Sequence, residues 1–210
     1  MSRDPGIVTL AAATYCETLA RFDVLCTLKH FPGLSKVRSD THLAGAKLVS
    51  RRDDVEGQDW VPFREVSEAA PAALMIGHPK VKVLDSKNPA STSKKVINDL
   101  VRQEWGFDGL VITDDLDMGA IKKRKGGMAK AAIDALNAGA DIILFTFDPS
   151  RIVPVYYALL KAYDEGTLDH AKLEASSKRL DTIAKQFHTR GKSFTQANDQ
   201  EAGPSQDIRK

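Results

Sequence analysis

The sequence predicts a single α/β domain with a parallel sheet, and three observations support this prediction. Short, almost continuously apolar runs alternate along the chain with longer stretches that have apolar residues at helical spacing. Four of these runs are each followed by a helical stretch, and this order is typical of strands that pair in parallel. Because the runs contain few polar residues, we expect both faces of the sheet to be covered.

The predicted elements begin and end at residues suited to those positions. A helix over 7–21 opens at Asp4-Pro5, and a helix over 128–138 closes at Gly139. The predicted strands cover 24–28, 72–76, 110–113 and 141–147. The other predicted helices cover 62–69, a stretch from Ser91 or Ser93 to Trp105, 152–165 and 170–186. The polar composition of 189–210 predicts a disordered tail, so the domain is expected to cover 1–188.

Composition and charge argue against several classes of protein. The 30 basic and 28 acidic side chains leave a formal net charge of +2, which gives no basic field for nucleic acid. No apolar run approaches the roughly 20 residues of a membrane helix, and the N-terminal residues lack the pattern of a signal peptide. Cys16 and Cys26 are predicted to be reduced, buried thiols, and the protein is predicted to be cytoplasmic.

Polar residues follow three of the four predicted strands at the point where each strand ends. They are Lys29 and His30, His78, and the pair Asp114 and Asp115. In a parallel barrel the carboxyl ends of the strands open onto one face, and active sites lie on that face. The pattern therefore predicts that these side chains share one site.

Two motifs extend this pattern along the chain. Residues 29–33 are Lys-His-Phe-Pro-Gly, and after six further residues 40–42 are Asp-Thr-His. Residues 105–118, Trp-Gly-Phe-Asp-Gly-Leu-Val-Ile-Thr-Asp-Asp-Leu-Asp-Met, contain the third predicted strand, and 75–78, Met-Ile-Gly-His, lie between the two motifs. Together these segments resemble glycoside hydrolase family 3, in particular its β-N-acetylhexosaminidase branch, and the similarity runs from about residue 4 to about residue 187.

The resemblance implies a partial TIM-type (β/α)8 barrel. Members of this branch build a complete barrel, and the four βα units predicted here correspond to its C-terminal half. The first half normally supplies an aspartate that binds sugar hydroxyls and an arginine that helps to hold the substrate, and neither has a counterpart in this sequence. Four units leave two open sheet edges. A homodimer, or pairing with a separate N-terminal half-barrel, is therefore the alternative to an active monomer.

The activity that the resemblance implies is retaining hydrolysis of terminal β-N-acetylhexosaminides, without a cofactor or a metal ion. Asp114 is the implied nucleophile, and His42, oriented by Asp40, is the implied acid and then base. An imidazole suits both steps because its ordinary pKa is about 6.5. Taken without the resemblance, 40–42 is also typical of a solvated polar loop, and Asp114 is also suited to cap the next turn.

Three further residues are implied to bind the substrate: Lys29, His30 and His78. A cation and an imidazole at a strand end can form hydrogen bonds with sugar hydroxyls, which are costly to leave unpaired in a dry pocket. A histidine at a strand end is also often a structural residue with satisfied hydrogen bonds. A metal-dependent hydrolase that uses His78 with Asp114 and Asp115 is a further alternative.

Overall fold

The computed structural model describes residues 2–34, 46–146 and 148–201, with side chains described up to residue 187. The strands are β1 Cys26–Phe31, β2 Lys47–Leu48, β3 Ala72–Ile76, β4 Lys80–Val81, β5 Val111–Asp115 and β6 Ile142–Leu144. The α-helices are α1 Pro5–Arg21, α2 Arg52–Asp54, α3 Val61–Ala69, α4 Gly119–Lys122, α5 Gly127–Ala138, α6 Ile152–Asp164 and α7 His170–Glu201. The described helical segments also include π-helices over Val55–Asp59 and Lys95–Glu104 and 3-10 turns over Ala90–Thr92 and Pro149–Arg151.

Four of the strands form one sheet in the order β1-β3-β5-β6, and every neighbouring pair is parallel. Leu74 in the middle of β3 pairs with Leu28 on one side and with Val111 on the other. Helical segments connect successive strands of this sheet, as parallel pairing requires. The predicted parallel α/β arrangement is therefore confirmed, and the carboxyl ends of the four strands lie at one edge. A second, two-stranded parallel sheet is formed by β2 and β4.

The last strand of this sheet is shorter than the predicted strand over 141–147. The strand Ile142–Leu144 begins only after Asp141. The carboxylate of Asp141 instead accepts hydrogen bonds from the Val111 amide at 2.7 Å and from Arg102 at 2.5 Å. The backbone N–H of Asp141 donates to the Val111 carbonyl oxygen at 2.8 Å, so the backbone and the side chain of Asp141 together complete the amino end of the β5–β6 pair.

Cys16 and Cys26 form a disulfide, so the prediction of two reduced thiols is wrong. Their Cα atoms lie 5.3 Å apart, within the range that a disulfide spans. Cys16 lies on α1 and Cys26 is the first residue of β1, and both are buried in the same hydrophobic cluster. The number of cysteines in the sequence did not indicate the bond, because their proximity depends on how α1 packs against β1.

The C-terminal helix α7 extends beyond the predicted end of the domain at residue 188. Its backbone is helical to Glu201, and residues 202–210 lie outside the described part of the chain. The sequence from 188 to 201 contains no proline that would interrupt a helix. The boundary between a 1–188 domain and a disordered 189–210 tail stays a prediction. Among the helices that the structure describes, no helix is long and apolar enough to span a membrane.

Aromatic side chains pack beneath the carboxyl end of β1. The ring of Phe31 lies 5.7 Å from Trp60, 5.4 Å from Phe63 and 5.1 Å from Trp105, measured between centroids. The indole N–H of Trp60 donates to the carbonyl oxygen of Pro32 at 3.1 Å. Each such aromatic pair contributes about 0.5–1.5 kcal/mol beyond the area that it buries. The cluster therefore holds the backbone at Phe31 and Pro32, within the Lys-His-Phe-Pro-Gly segment.

Candidate active site

The carboxyl ends of β1 and β5 bring two of the predicted site residues together. His30 Nε2 lies 4.0 Å from Asp114 Oδ2, and the two side chains are 30% and 18% exposed. The His30 backbone is set by the end of β1, where the Lys29-His30 and Phe31-Pro32 peptide bonds are both cis. The structure therefore places an imidazole and a carboxylate at one accessible position on this edge of the sheet.

The direction of the Asp114 side chain follows from the alternation of side chains along a strand. Thr113 and Asp115, its neighbours in β5, are buried, so the Asp114 side chain projects to the opposite, more accessible face. Its Oδ1 accepts a hydrogen bond from the backbone N–H of Asp115 at 2.9 Å. The carboxylate of Asp114 is thus held at one oxygen, and its other oxygen faces His30.

Asp115 is buried and is bound through its carboxylate and its backbone. Its Oδ1 accepts from the backbone N–H of Asp117 at 2.9 Å, and its Oδ2 accepts from the hydroxyl of Thr146, just beyond β6. Its carbonyl oxygen accepts from the His78 ring at 2.8 Å and from the Met118 amide at 3.1 Å. The sequence did not indicate Thr146, because nothing in its local pattern shows that the ends of β5 and β6 meet at this point.

Asp117 anchors the loop that follows β5. Its Oδ1 lies 2.7 Å from Arg151 Nη1 and 3.2 Å from Lys122 Nζ, and its side chain is largely buried. Arg151 also pairs with Asp148 at 2.9 Å. Because these cations hold the carboxylate of Asp117, this aspartate supports the loop rather than reaching towards His30.

His78 lies beneath the site and is only 1% exposed. Its Nε2 lies 2.8 Å from the carbonyl oxygen of Asp115, and its Nδ1 lies 2.7 Å from the hydroxyl of Ser91. A carbonyl oxygen only accepts, so Nε2 carries the proton and donates, and Nδ1 accepts from Ser91. Burial lowers the pKa of His78, although the hydrogen bond to Asp115 opposes this effect.

The predicted contact between His78 and substrate stays a prediction, and the described contacts of the ring indicate a supporting role. Both ring nitrogens are engaged by protein groups, and the ring is buried, so the side chain supports the site from below. The same contacts argue against the metal-dependent alternative, because a metal ligand would need the Nδ1 lone pair that Ser91 occupies. Among the residues that the structure describes, no group of three or more His, Cys, Asp or Glu side chains is arranged to hold a metal ion.

Asp85 organises the loop after β4, which leads to Ser91 and Ser93. The carboxylate of Asp85 accepts from the amides of Lys87 and Asn88, from the Asn88 side chain and from the Ser93 hydroxyl, at 2.8–3.1 Å. Burial alone would raise the pKa of Asp85, but these hydrogen bonds together outweigh it and lower the pKa to about 2. The sequence motifs did not indicate Asp85, although an aspartate is typical of turns, where its side chain accepts hydrogen bonds from nearby backbone amides.

Lys29 is exposed and lies on the other side of the strand end. It lines a cavity of about 840 Å³ between α1 and β1, together with polar residues that include Gln58 and Asp59. His30 and Asp114 are not among the described residues that line this cavity. The structure therefore does not join Lys29 to the His30–Asp114 pair, and its contact with substrate stays a prediction.

The predicted acid/base pair falls on residues that the structure does not describe. Asp40 and His42 both lie in the segment 35–45, outside the described ranges. Their proposed roles, and their distance from Asp114, stay predictions.

Comparison with known proteins places the chain in a family. The family model described as "Glycosyl hydrolase family 3 N terminal domain" matches residues 1–183. Beta-hexosaminidase LpqI of Mycobacterium tuberculosis is 37% identical over 186 residues, which cover 86% of this chain and 47% of that protein. Beta-hexosaminidase of Nitrosomonas eutropha is 31% identical over 173 residues, which cover 81% of this chain and 49% of the relative. This chain thus spans about half the length of these curated relatives.

A solved structure shows the same fold. The glycoside hydrolase family 3 β-N-acetylglucosaminidase from Paenibacillus sp. superposes with a TM-score of 0.85 at 28% identity, over 98% of this chain and 37% of that chain. The predicted partial TIM-type barrel is therefore confirmed, with four strands of the barrel in this chain. The chain belongs to glycosyl hydrolase family 3, as part of the N-terminal domain of that family.

Proposed function

We propose that this chain contains the nucleophile-bearing part of a retaining β-N-acetylhexosaminidase-type active site. The observation on which the proposal rests is the position of Asp114 at the carboxyl end of β5, partly accessible and facing His30 at 4.0 Å. Relatives that are named β-hexosaminidase support terminal β-N-acetylhexosaminides as the substrate class.

In the first step of the proposed reaction, a carboxylate oxygen of Asp114 attacks the anomeric carbon of the sugar. The glycosidic C–O bond breaks, and the leaving oxygen takes a proton from the His42 imidazolium, which Asp40 orients. In the second step neutral His42 removes a proton from water, and the water oxygen attacks the anomeric carbon. The ester bond to Asp114 then breaks, which releases the sugar with retained configuration and restores the carboxylate.

The described part of the site supports binding as well as attack. The imidazole of His30, partly accessible beside Asp114, is positioned to form a hydrogen bond with a sugar hydroxyl or with the nucleophile itself. Lys29 lies on the other side of the same strand end, and we propose that it contacts the substrate from that side.

Covalent labelling tests this function directly. The folded 210-residue chain would be incubated with a fluorinated N-acetylglucosaminyl fluoride, which forms a slowly hydrolysed glycosyl-enzyme, and its intact mass measured. We expect one added glycosyl group, and peptide mapping should place it on Asp114. Folded protein that stays unlabelled, or that is labelled at another residue, would overturn the proposal.

Two variants make the labelling experiment specific. Asp114→Asn removes the attacking oxygen and should abolish labelling, while circular dichroism should show an unchanged fold because the side chain is partly accessible. Asp164→Asn is the matched control, since Asp164 is exposed at the end of α6. This variant should be labelled on Asp114 at the same rate as the unmodified chain.

A second candidate function is a catalytically impaired half-barrel that self-associates or pairs with a separate N-terminal half. The two edge strands of the sheet are β1 and β6. The helix before β1 and the α-helix after β6 both carry exposed apolar side chains. These are Leu10 and Tyr15 on α1 and Val153 and Tyr157 on α6. Open edges and exposed apolar surface favour association. Light scattering tests this alternative, because a monomer that becomes labelled on Asp114 would contradict it.

The sequence predicts a cytoplasmic location, but the Cys16–Cys26 disulfide favours a different one. Disulfides persist mainly in oxidising compartments and are rare in the cytosol. We propose that the protein acts in an oxidising compartment. Alkylation of free thiols in freshly lysed cells, followed by mass measurement, would test this, and two alkylated cysteines would overturn it.

A further inference from the structure

We propose that His78 and Thr146 are positioning residues that orient the Asp114 carboxylate by holding Asp115 from both sides. They approach from the ends of β3 and β6, the two strands that flank β5 in the sheet. The inference rests on the proposed function, because the orientation of Asp114 sets a rate only if this residue is the nucleophile.

The hydrogen bonds form a continuous path to the nucleophile. The Asp115 N–H donates to Asp114 Oδ1 at 2.9 Å, so the orientation of the Asp114 carboxylate depends on where that amide points. The carbonyl oxygen of Asp115 accepts from His78 Nε2 at 2.8 Å, and its carboxylate accepts from the Thr146 hydroxyl. The backbone carbonyl and the side-chain carboxylate of Asp115 are therefore both bound by residues that follow the neighbouring strands.

Each of the two groups supplies a hydrogen bond that a hydrophobic side chain of similar size would remove. Without the Thr146 hydroxyl, one buried oxygen of the Asp115 carboxylate would lose its donor, and a buried polar atom without a partner is costly. Without the His78 N–H, the Asp115 carbonyl would retain only the longer contact to the Met118 amide at 3.1 Å. In either case Asp115 is held by one contact fewer, so we expect its backbone to shift and the Asp114 carboxylate to shift with it.

A small shift of this kind affects attack more than binding. Misplacement of a reacting group by about 1 Å can lower a rate by about 10²-fold, because the reacting atoms no longer meet in line. Binding of the sugar depends on other contacts, such as those proposed for His30. A positioning role therefore predicts a lower rate of covalent labelling without an equal loss of affinity.

The test measures the inactivation kinetics of the full chain with the fluorinated N-acetylglucosaminyl fluoride. Thr146→Val and His78→Leu remove the two donors, and we expect the maximal inactivation rate to fall by about 10- to 100-fold, while the inhibitor concentration for half-maximal rate changes by less than about 3-fold. Thr146→Ser and His78→Gln restore a donor and should recover most of the rate. Thr182→Val on α7 and His170→Gln at its start, both exposed, are the matched controls and should leave both constants unchanged.

The readouts separate failure of this inference from failure of the proposed function. If the unmodified chain is labelled on Asp114 and Thr146→Val is labelled equally fast, the positioning role is overturned. If the unmodified chain is not labelled at all, the proposed function fails, and the positioning role is then decided by the NMR signals of the Asp115 amide and the Asp114 carboxyl carbon. Both signals should move in Thr146→Val and return in Thr146→Ser, and unmoved signals would overturn the inference.

Discussion

His30 Nε2 and Asp114 Oδ2 lie 4.0 Å apart, although the strands that bear them are separated in the sheet by β3. The residue that follows β3 is Gly77, and a side chain there would contact the His30 Cβ at 3.5 Å and the Phe31 carbonyl oxygen at 3.6 Å. The amide of Gly77 donates to that carbonyl oxygen at 2.8 Å, so the end of β3 is joined to the end of β1 beside His30.

Replacement of His30 by alanine should weaken binding of the sugar. A sugar hydroxyl that loses its partner in the site costs about 1–3 kcal/mol, which corresponds to about 5- to 150-fold in the inhibitor concentration for half-maximal labelling. The measurement is the concentration dependence of labelling by the fluorinated N-acetylglucosaminyl fluoride. His170→Ala, at the exposed start of α7, is the control, and an unchanged concentration dependence in His30→Ala would contradict the assignment.

Because of His78, the free energy of unfolding should decrease as the pH falls below about 6.5. Burial lowers the pKa of His78 in the folded chain below its ordinary 6.5, while Asp114 and Asp115 favour the charged form and Arg124 opposes it. Above pH 6.5 the ring is neutral in both states. Below pH 6.5 the unfolded chain binds a proton that the folded chain does not, so the free energy of unfolding decreases as pH falls.

Urea unfolding at pH 7.5 and 5.5 measures this effect. Over this interval we expect the free energy of unfolding to decrease by about 1 kcal/mol more in the unmodified chain than in His78→Gln, because glutamine does not titrate. His170→Gln serves as the control and should show the same pH dependence as the unmodified chain. Equal losses in the unmodified chain and in His78→Gln would show that the ring of His78 is not held neutral.

Reduction of the Cys16–Cys26 disulfide should destabilise the fold by about 2–3 kcal/mol. The bond closes a short loop, with a sequence separation of 10, and a loop of this length restricts the unfolded chain by about that amount. The expected outcome is a lower urea midpoint in the presence of a phosphine reductant, and the same midpoint with and without reductant in the Cys16→Ser, Cys26→Ser double variant. A midpoint of the unmodified chain that does not respond to reduction would contradict this prediction.

Asp141 should contribute strongly to stability at the opposite end of β5 from the site. Its side chain is 0% exposed and lies 2.5 Å from Arg102 and 2.9 Å from Arg179. Asp141→Ala would leave both guanidinium groups without this partner. We therefore expect the free energy of unfolding, measured with urea, to decrease by about 3–5 kcal/mol. Asp108→Ala is the matched control, because the Asp108 carboxylate also contacts Arg179, at 3.3 Å, but is 87% exposed. The control should change stability by less than about 1 kcal/mol, and equal losses in both variants would contradict the prediction.

The predicted elements that depend on local sequence agree well with the structure. The strand predicted over 72–76 is β3 Ala72–Ile76, and the helix predicted over 128–138 is α5 Gly127–Ala138. Gly139 has a φ of 107° and ends α5, as a glycine after a helix is expected to do. Apolar spacing and terminal residues act within a few positions of the chain, so they can be read directly from the sequence.

The sequence alone determined the alternation of strands and helices, the family motifs, and the position of Asp114 and His30 at strand ends. Only the tertiary structure decided that Cys16 and Cys26 are bonded and that His78 and Thr146 hold Asp115. Helix periodicity and strand alternation are local properties, whereas the contacts of a buried polar side chain depend on which distant segments pack against it. For this reason a histidine at a strand end gives the same sequence signal whether it faces a sugar or a backbone carbonyl.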